Sequence, residues 1–209
     1  MYERFIKRTL DFAGASFLLI ITSPVFIAIT IIVKLTSRGP AIFKQERTGL
    51  NGELFTMRKF RSMAKDNDVH DAKSGDKVTK VGKILRATSL DELPQLINVL
   101  RGDMSFIGPR PWIPTYYEHM NLEQRRRNNV RPGITGLAQA YGRNNLSIHE
   151  KINYDVEYVD NMSLRGDLKV IFVTVKTLFD HEAHELGKGG IHEELDVLRS
   201  QNGNELARG

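Results

Sequence analysis

The chain contains no cysteine. That excludes disulfides, thiolate catalysis and Cys-based zinc sites, and it leaves the redox compartment unread. Charge of one sign is also scarce: 30 Lys and Arg against 25 Asp and Glu give a formal net charge of +5. This mild excess is compatible with phosphate-bearing ligands or an anionic membrane and demands neither. There is no internal repeat, and several familiar-looking strings fail on spacing. "HEAH" at 181–184 has its histidines three apart, whereas a zinc-protease helix needs them four apart to face one metal. "GKGG" at 187–190 lacks the spaced glycines and the Ser/Thr of a P-loop. Arg125-Arg126-Arg127 has no interleaved aromatics and no surrounding binding module, so a solvated helix face is expected there and no nucleic-acid partner. The 209 residues suffice for one ordinary domain with an appendage.

Apolar residues are present but unevenly spread. From Phe12 to Val33 the chain reads "FAGASFLLIITSPVFIAITIIV", 22 residues without a charge. At a rise of ~1.5 Å per residue such a helix just crosses a hydrocarbon core of ~30 Å. The run is too long for a signal-peptide core and ends without an A-x-A-like cleavage site, so a cleaved leader is not expected. Its flanks are basic on both sides (Arg4, Lys7 and Arg8 before; Lys34, Arg38, Lys44 and Arg47 after), which gives little asymmetry to orient a span. Ser23-Pro24 lies mid-run, where proline removes a donor and leaves the Ile20 carbonyl in need of another partner. A kinked span and a re-entrant helix that enters and leaves by one face both fit these residues.

Beyond Gly39-Pro40 the pattern shortens. "AIFKQERTGLNGELFTMRKFRSM" predicts a short β-hairpin turning at Leu50-Asn51-Gly52. Residues 64–79 read as a polar surface loop. In "VGKILRATSL", Val81, Ile84 and Leu85 share one face with Lys80, Lys83 and Arg86 off it, which fits an interfacial amphipathic helix or a helix packed on the core. Ser89-Leu90-Asp91-Glu92 fits an S-x-x-E capping box, opening a helix near Asp91 that ends at Arg101-Gly102. A helix is expected over about 116–128, and two more over 147–179, broken near Asn161 to Gly166. Gly133, Gly136 and Gly142 suit close backbone approach to a ligand or simple turns. The expected fold class is α+β and helix-dominated.

What stands out is a collection of side chains. Two adjacent carboxylates, Asp91 and Glu92, are accompanied by Lys59, Arg61, Arg86, Arg110, Arg131 and Arg143, many beside Pro or Gly, and by Asp155 and Asp167 in the last helices. Carboxylates, arginines and an oxygen-liganded Mg²⁺ are the equipment of phosphoryl transfer. No histidine stands among these loops, so a His-activated serine is not expected, whereas a carboxylate can itself attack phosphorus.

"KFRSM" (59–63), "SLDELPQLINVLRGDMSFIGPRP" (89–111) and "RPGITGLAQAYGRN" (131–144), in that order, closely resemble the bacterial sugar transferase family, the monotopic phosphoglycosyl transferases. The start, "FIKRTLDFAGASFLLIITSP", is similar too, so the resemblance covers roughly residues 1–175, and the length resembles the minimal members that initiate bacterial N-linked protein glycosylation. The resemblance implies transfer of a phosphosugar from a UDP-sugar to polyprenol (undecaprenyl) phosphate, with release of UMP, Mg²⁺ as cofactor and a covalent phosphosugar on an aspartate. On this chain it makes Asp91 the nucleophile and a metal ligand, and Glu92 its partner. It makes Arg110 a ligand for nucleotide phosphate or uridine, and places Lys59, Arg86, Arg143, Asp155 and Asp167 in or near the site. It also favours the re-entrant helix broken at Ser23-Pro24, with the chain on the cytoplasmic face of the bacterial inner membrane. The expected organisation is a membrane helix with basic flanks (1–38), a catalytic domain at the interface (39–180) and a polar tail (181–209). An N-acetylated sugar is expected, and a homodimer is left open. The rival readings are a transferase that moves the sugar alone and releases UDP, and a membrane-anchored adaptor without turnover.

Overall fold

The computed structural model describes residues 2–63, 78–142, 146–178 and 194–200. The strings "HEAH" and "GKGG" and most of the expected polar loop lie outside them. A turn of π-helix, Tyr2–Lys7, runs directly into α1, Arg8–Thr36. Together they form one helix long and apolar enough to cross a membrane. The expected break at Ser23-Pro24 is not a break in secondary structure, because Pro24 lies inside α1. The Ser23 hydroxyl donates to the Ile20 carbonyl at 2.8 Å, which supplies the hydrogen bond that Pro24 cannot.

One stripe of α1 packs on the rest of the chain. Ala15 and Leu19 join a cluster with Leu96, Val99 and Met104, and Phe26, Ile29 and Val33 join Phe60 and Leu85. Phe12, Phe17, Ile20, Ile27, Ile31 and Leu35 on the other faces are exposed. Both ends of the apolar helix therefore touch the same domain. At its start Lys7 pairs with Asp167 (2.5 Å), and Arg8 donates to the Val99 and Leu100 carbonyls (2.6 and 2.7 Å).

The hairpin is as expected: β1 (Ile42–Thr48) pairs antiparallel with β2 (Leu54–Phe60), from Ile42 opposite Phe60 to Thr48 opposite Leu54. Its turn places Asn51 and Gly52 at φ 53° and 83°, the left-handed conformations that Asn-Gly accepts readily. Helix α2 (Lys80–Ala87) is N-capped by Thr79 and buries Gly82 and Leu85, whereas Ile84 faces outward. Helix α3 (Gln95–Arg101) is tied to β2 by buried Asn98, which accepts from the Arg58 amide and donates to the Thr56 carbonyl.

A two-stranded parallel sheet of β3 (Ser105–Ile107) and β4 (Gly133–Thr135) was not anticipated. It explains the glycines of that stretch. A Cβ on Gly133 would lie 2.2 Å from the Gly108 amide nitrogen, and one on Gly136 2.2 Å from the Gly108 carbonyl oxygen. These glycines bring backbone against backbone. The single helix expected over 116–128 is instead α4 (Pro114–Glu118), α5 (Leu122–Arg125) and a 3-10 turn, Arg126–Asn128. Asn121 and Gln124 form a reciprocal capping box that restarts the chain there. After α6 (Leu137–Tyr141) come α7 (Ile148–Asp160) and α8 (Leu164–Leu178), interrupted where expected. Within the polar tail, helical residues 194–200 dock Leu195 and Leu198 against Ile113, Tyr116, Ile148 and Ile152.

Gly82 offers a test of this packing. A Cβ there would sit 1.9 Å from the Ser62 carbonyl oxygen, a backbone atom that cannot swing aside. Ser62 also anchors Arg86, whose Nε donates to its hydroxyl at 2.9 Å. Gly82→Ala should therefore destabilise by about 1–3 kcal/mol through overpacking, despite a helix-propensity gain of ~1 kcal/mol. Unfolding midpoints in one fixed detergent would check this, and a midpoint at or above wild type would contradict it.

Candidate active site

Asp91 and Glu92 lie on a single 3-10 turn, Leu90–Glu92, between α2 and α3. The expected capping box does not form. Ser89 adopts a left-handed conformation (φ 56°) and its side chain makes no cap hydrogen bond. The Glu92 carboxylate turns instead to the cations: Oε1 accepts from Lys59 Nζ (2.6 Å) and from Arg110 Nη2 (3.1 Å). With the regular helix starting only at Gln95, the acidic pair also lies outside its first turn.

These residues line a cavity of about 460 Å³. One wall is the hairpin, with alternate residues Phe43, Gln45 and Arg47 of β1 and Met57, Lys59 and Arg61 at and beyond the end of β2. The other carries Arg86, Asp91, Glu92 and Arg110. Cationic side chains outnumber the carboxylates, so the cavity suits anions.

The two carboxylates are shifted in opposite directions. Burial pushes Glu92 up, but Arg110 and Lys59 with their hydrogen bonds outweigh it and hold the group down to about 2. Asp91 is 8% exposed, and among the described residues no side-chain hydrogen bond or ion pair engages its carboxylate. Burial, helped by the Glu92 charge, raises it above the ordinary carboxylate value against the pull of Lys59, Arg86 and Arg110. Lys59 is lowered by burial and by Arg110, against its bond to Glu92. A desolvated carboxylate that no described side chain engages, beside an immobilised one, is equipped to act as a nucleophile.

Of the residues singled out in the sequence, Lys59, Arg61, Arg86, Asp91, Glu92 and Arg110 come together. Asp155 and Asp167 lie outside the cavity, each engaged by a buried cation. Asp155 accepts from Arg127 Nε and Nη2 (3.0 and 2.6 Å) beneath the Arg110 loop. Asp167 accepts from Lys7, Tyr2 and Tyr158 beside the start of α1. Arg143 lies outside the described residues. Arg131 donates to the Gly102 carbonyl and so supports a loop. Phe43, Gln45 and Arg47 were missed, although their period-two spacing in a predicted strand was the available signal.

Among the described residues no group of three or more Asp, Glu, His or Cys side chains is placed to hold a metal. One free carboxylate nevertheless suits Mg²⁺, which typically takes one or two carboxylates and completes its shell with phosphate oxygens and water.

Comparison with known proteins identifies the family. The family model described as bacterial sugar transferase matches residues 2–181, and the chain belongs to that family. It is 44% identical to the sugar transferase EpsL of Bacillus subtilis over 179 residues, 85% of this chain and 89% of that protein. It is also 44% identical to a UDP-glucose:undecaprenyl-phosphate glucose-1-phosphate transferase of Caulobacter vibrioides, covering 82% of this chain and 69% of that one. Identity is 40% to a UDP-N-acetylgalactosamine-undecaprenyl-phosphate N-acetylgalactosaminephosphotransferase of Aeromonas hydrophila, over 83% of this chain and 44% of the longer relative.

Proposed function

We propose that this chain is a membrane-bound phosphoglycosyl transferase that moves a phosphosugar from a UDP-sugar to polyprenol phosphate. The observation that carries this reading is the buried Asp91, its carboxylate unengaged by any side chain among the described residues, beside a Glu92 fixed by Lys59 and Arg110 in a cavity rich in cations. Relatives named for transfer of a sugar phosphate to undecaprenyl phosphate support it. An Asp91 oxygen attacks the sugar-bearing phosphorus, the bond to the bridging oxygen breaks, and UMP leaves with that electron pair. An oxygen of polyprenol phosphate then attacks the same phosphorus and displaces the Asp91 carboxylate, leaving a polyprenyl-diphosphate-sugar. Lys59, Arg86 and Arg110 offset the negative charge that would otherwise keep a carboxylate from a diphosphate. Glu92 holds two of these cations in place. Asp91 would be the protein ligand for Mg²⁺, which would add to the neutralisation of the diphosphate.

The chain works at the cytoplasmic face of a bacterial inner membrane, with α1 entering and leaving by one leaflet. Contacts of both ends of α1 with one domain, and its exposed apolar faces, support this placement. The test is turnover of a UDP-sugar panel with a short polyprenol phosphate. UMP should be released, with an N-acetylated sugar preferred, and excess chelator should reduce the rate to background. Release of UDP would show transfer of the sugar alone, and full turnover in chelator would remove the metal.

A further inference from the structure

The Arg47 guanidinium is a charge in search of a partner. Its Nη2 donates to Gln45 Oε1 (2.6 Å), and its Nη1 reaches the Pro111 carbonyl at only 3.3 Å. Its Nε is buried with no hydrogen bond, and among the described residues no carboxylate pairs with it. Leaving a half-buried cation without a carboxylate partner costs stability, and here the cost is compounded by Arg110 close by. Burial and the Arg110 charge lower Arg47 to about 10, the mark of a cation held where cations are unwelcome. The same side chain lines the cavity. The bonds to Gln45 and Pro111 use only two of the five guanidinium N–H groups, and with Gln45 Oε1 engaged by Arg47 the Gln45 amide nitrogen is left as a further donor on the same cavity wall. A donor-only edge of this kind suits phosphate oxygens.

Resting on the function proposed above, we infer that Arg47, oriented by Gln45 and the Pro111 carbonyl, is an anion-binding residue for the phosphate of the nucleotide. The alternative source is the phosphate of the polyprenol, and position along the hairpin decides between them. Arg47 stands opposite Phe55, whereas Arg61 lies beyond Phe60 and pairs with Ala41, six positions away or roughly 20 Å at ~3.3 Å per residue. The Arg61 end adjoins α2, whose Leu85 packs with Ile29 and Val33 of the apolar helix. A lipid acceptor approaches from that end, and the water-soluble donor occupies the other.

The experiment uses the full chain in detergent and compares Arg47→Met with wild type. Three readouts are taken: UMP and uridine affinity, the thermal midpoint, and KM for each substrate. UMP affinity should fall at least tenfold while uridine affinity is unchanged, and KM for the UDP-sugar should rise. The midpoint without ligand should be unchanged or higher, because a half-buried charge without a carboxylate partner is gone, whereas loss of a scaffold residue would lower it. Unchanged UMP affinity overturns the inference, and so does a rise in KM confined to polyprenol phosphate. If Arg47→Met does not fold, Arg47→Lys decides. That variant keeps the charge but not the fork, and it should lose at least threefold in UMP affinity; an unchanged value overturns the inference. Wild-type protein that neither binds UMP nor releases it from any UDP-sugar refutes the underlying function instead, whatever Arg47 does.

Discussion

Asp91→Asn should reduce turnover by at least ~10³-fold, the scale of losing a covalent nucleophile, while leaving the fold intact. The amide keeps the size of the side chain but cannot form an acyl-phosphate. A capping role would predict a stability loss of up to ~1 kcal/mol, but the expected cap is absent, since Ser89 is left-handed and Glu92 is committed to Lys59 and Arg110. Burial raises the Asp91 pKa, so ionised Asp91 costs the fold stability above that value, and the cost disappears as pH falls below the ordinary carboxylate range. Near neutral pH the neutral Asn should therefore leave the unfolding midpoint unchanged or raise it. In wild type the rate should fall with acid through the raised Asp91 value, while Glu92, held at about 2, stays ionised. Intact mass after incubation with UDP-sugar alone should show a phosphosugar adduct that maps to Asp91 and is missing from Asp91→Asn. Near-normal turnover by a folded Asp91→Asn protein would sink the nucleophile assignment.

The parts of this chain written in local code were legible. The uncharged run gave a long apolar helix, Leu50-Asn51-Gly52 gave the hairpin turn, and the Asn161 to Gly166 interval separated α7 from α8. Six cavity residues, Lys59, Arg61, Arg86, Asp91, Glu92 and Arg110, were legible in the sequence. The errors came where a long-range partner overrode a local preference. Ser89 and Glu92 have the spacing of a capping box, but two cations more than 15 residues away in sequence take the Glu92 carboxylate. Gly133 and Gly136 suited close approach to a ligand or simple turns, and they serve backbone contact at a parallel strand pair that no periodicity announces. Asp155 and Asp167 carry the chemistry of a site, and only tertiary packing shows that Arg127 and Lys7 already occupy them.

Asp155→Asn should be among the most destabilising single changes, at about 3–5 kcal/mol, although it alters one atom. Arg127 and Asp155 are 1% and 2% exposed as side chains, and the guanidinium is bound to one carboxylate oxygen through two nitrogens. The same guanidinium stacks over Trp112 at 4.0 Å and donates Nη2 to the Arg110 carbonyl at 2.7 Å. Removing the negative charge leaves Arg127 buried and uncompensated, and an arginine cannot shed its proton to escape. At roughly 2–4 °C per kcal/mol for a chain of this size, the thermal midpoint should drop by about 6–20 °C. Arg127→Met alone should also destabilise, because it leaves the Asp155 carboxylate buried without its cation. The double variant should recover part of the loss, since replacing both charges of a buried pair costs less than removing one. A substrate-binding Asp155 would behave differently: its Asn variant would keep its midpoint and raise KM. Equal midpoints for wild type and Asp155→Asn would return Asp155 to the list of substrate ligands and leave the Arg110 loop without its proposed support.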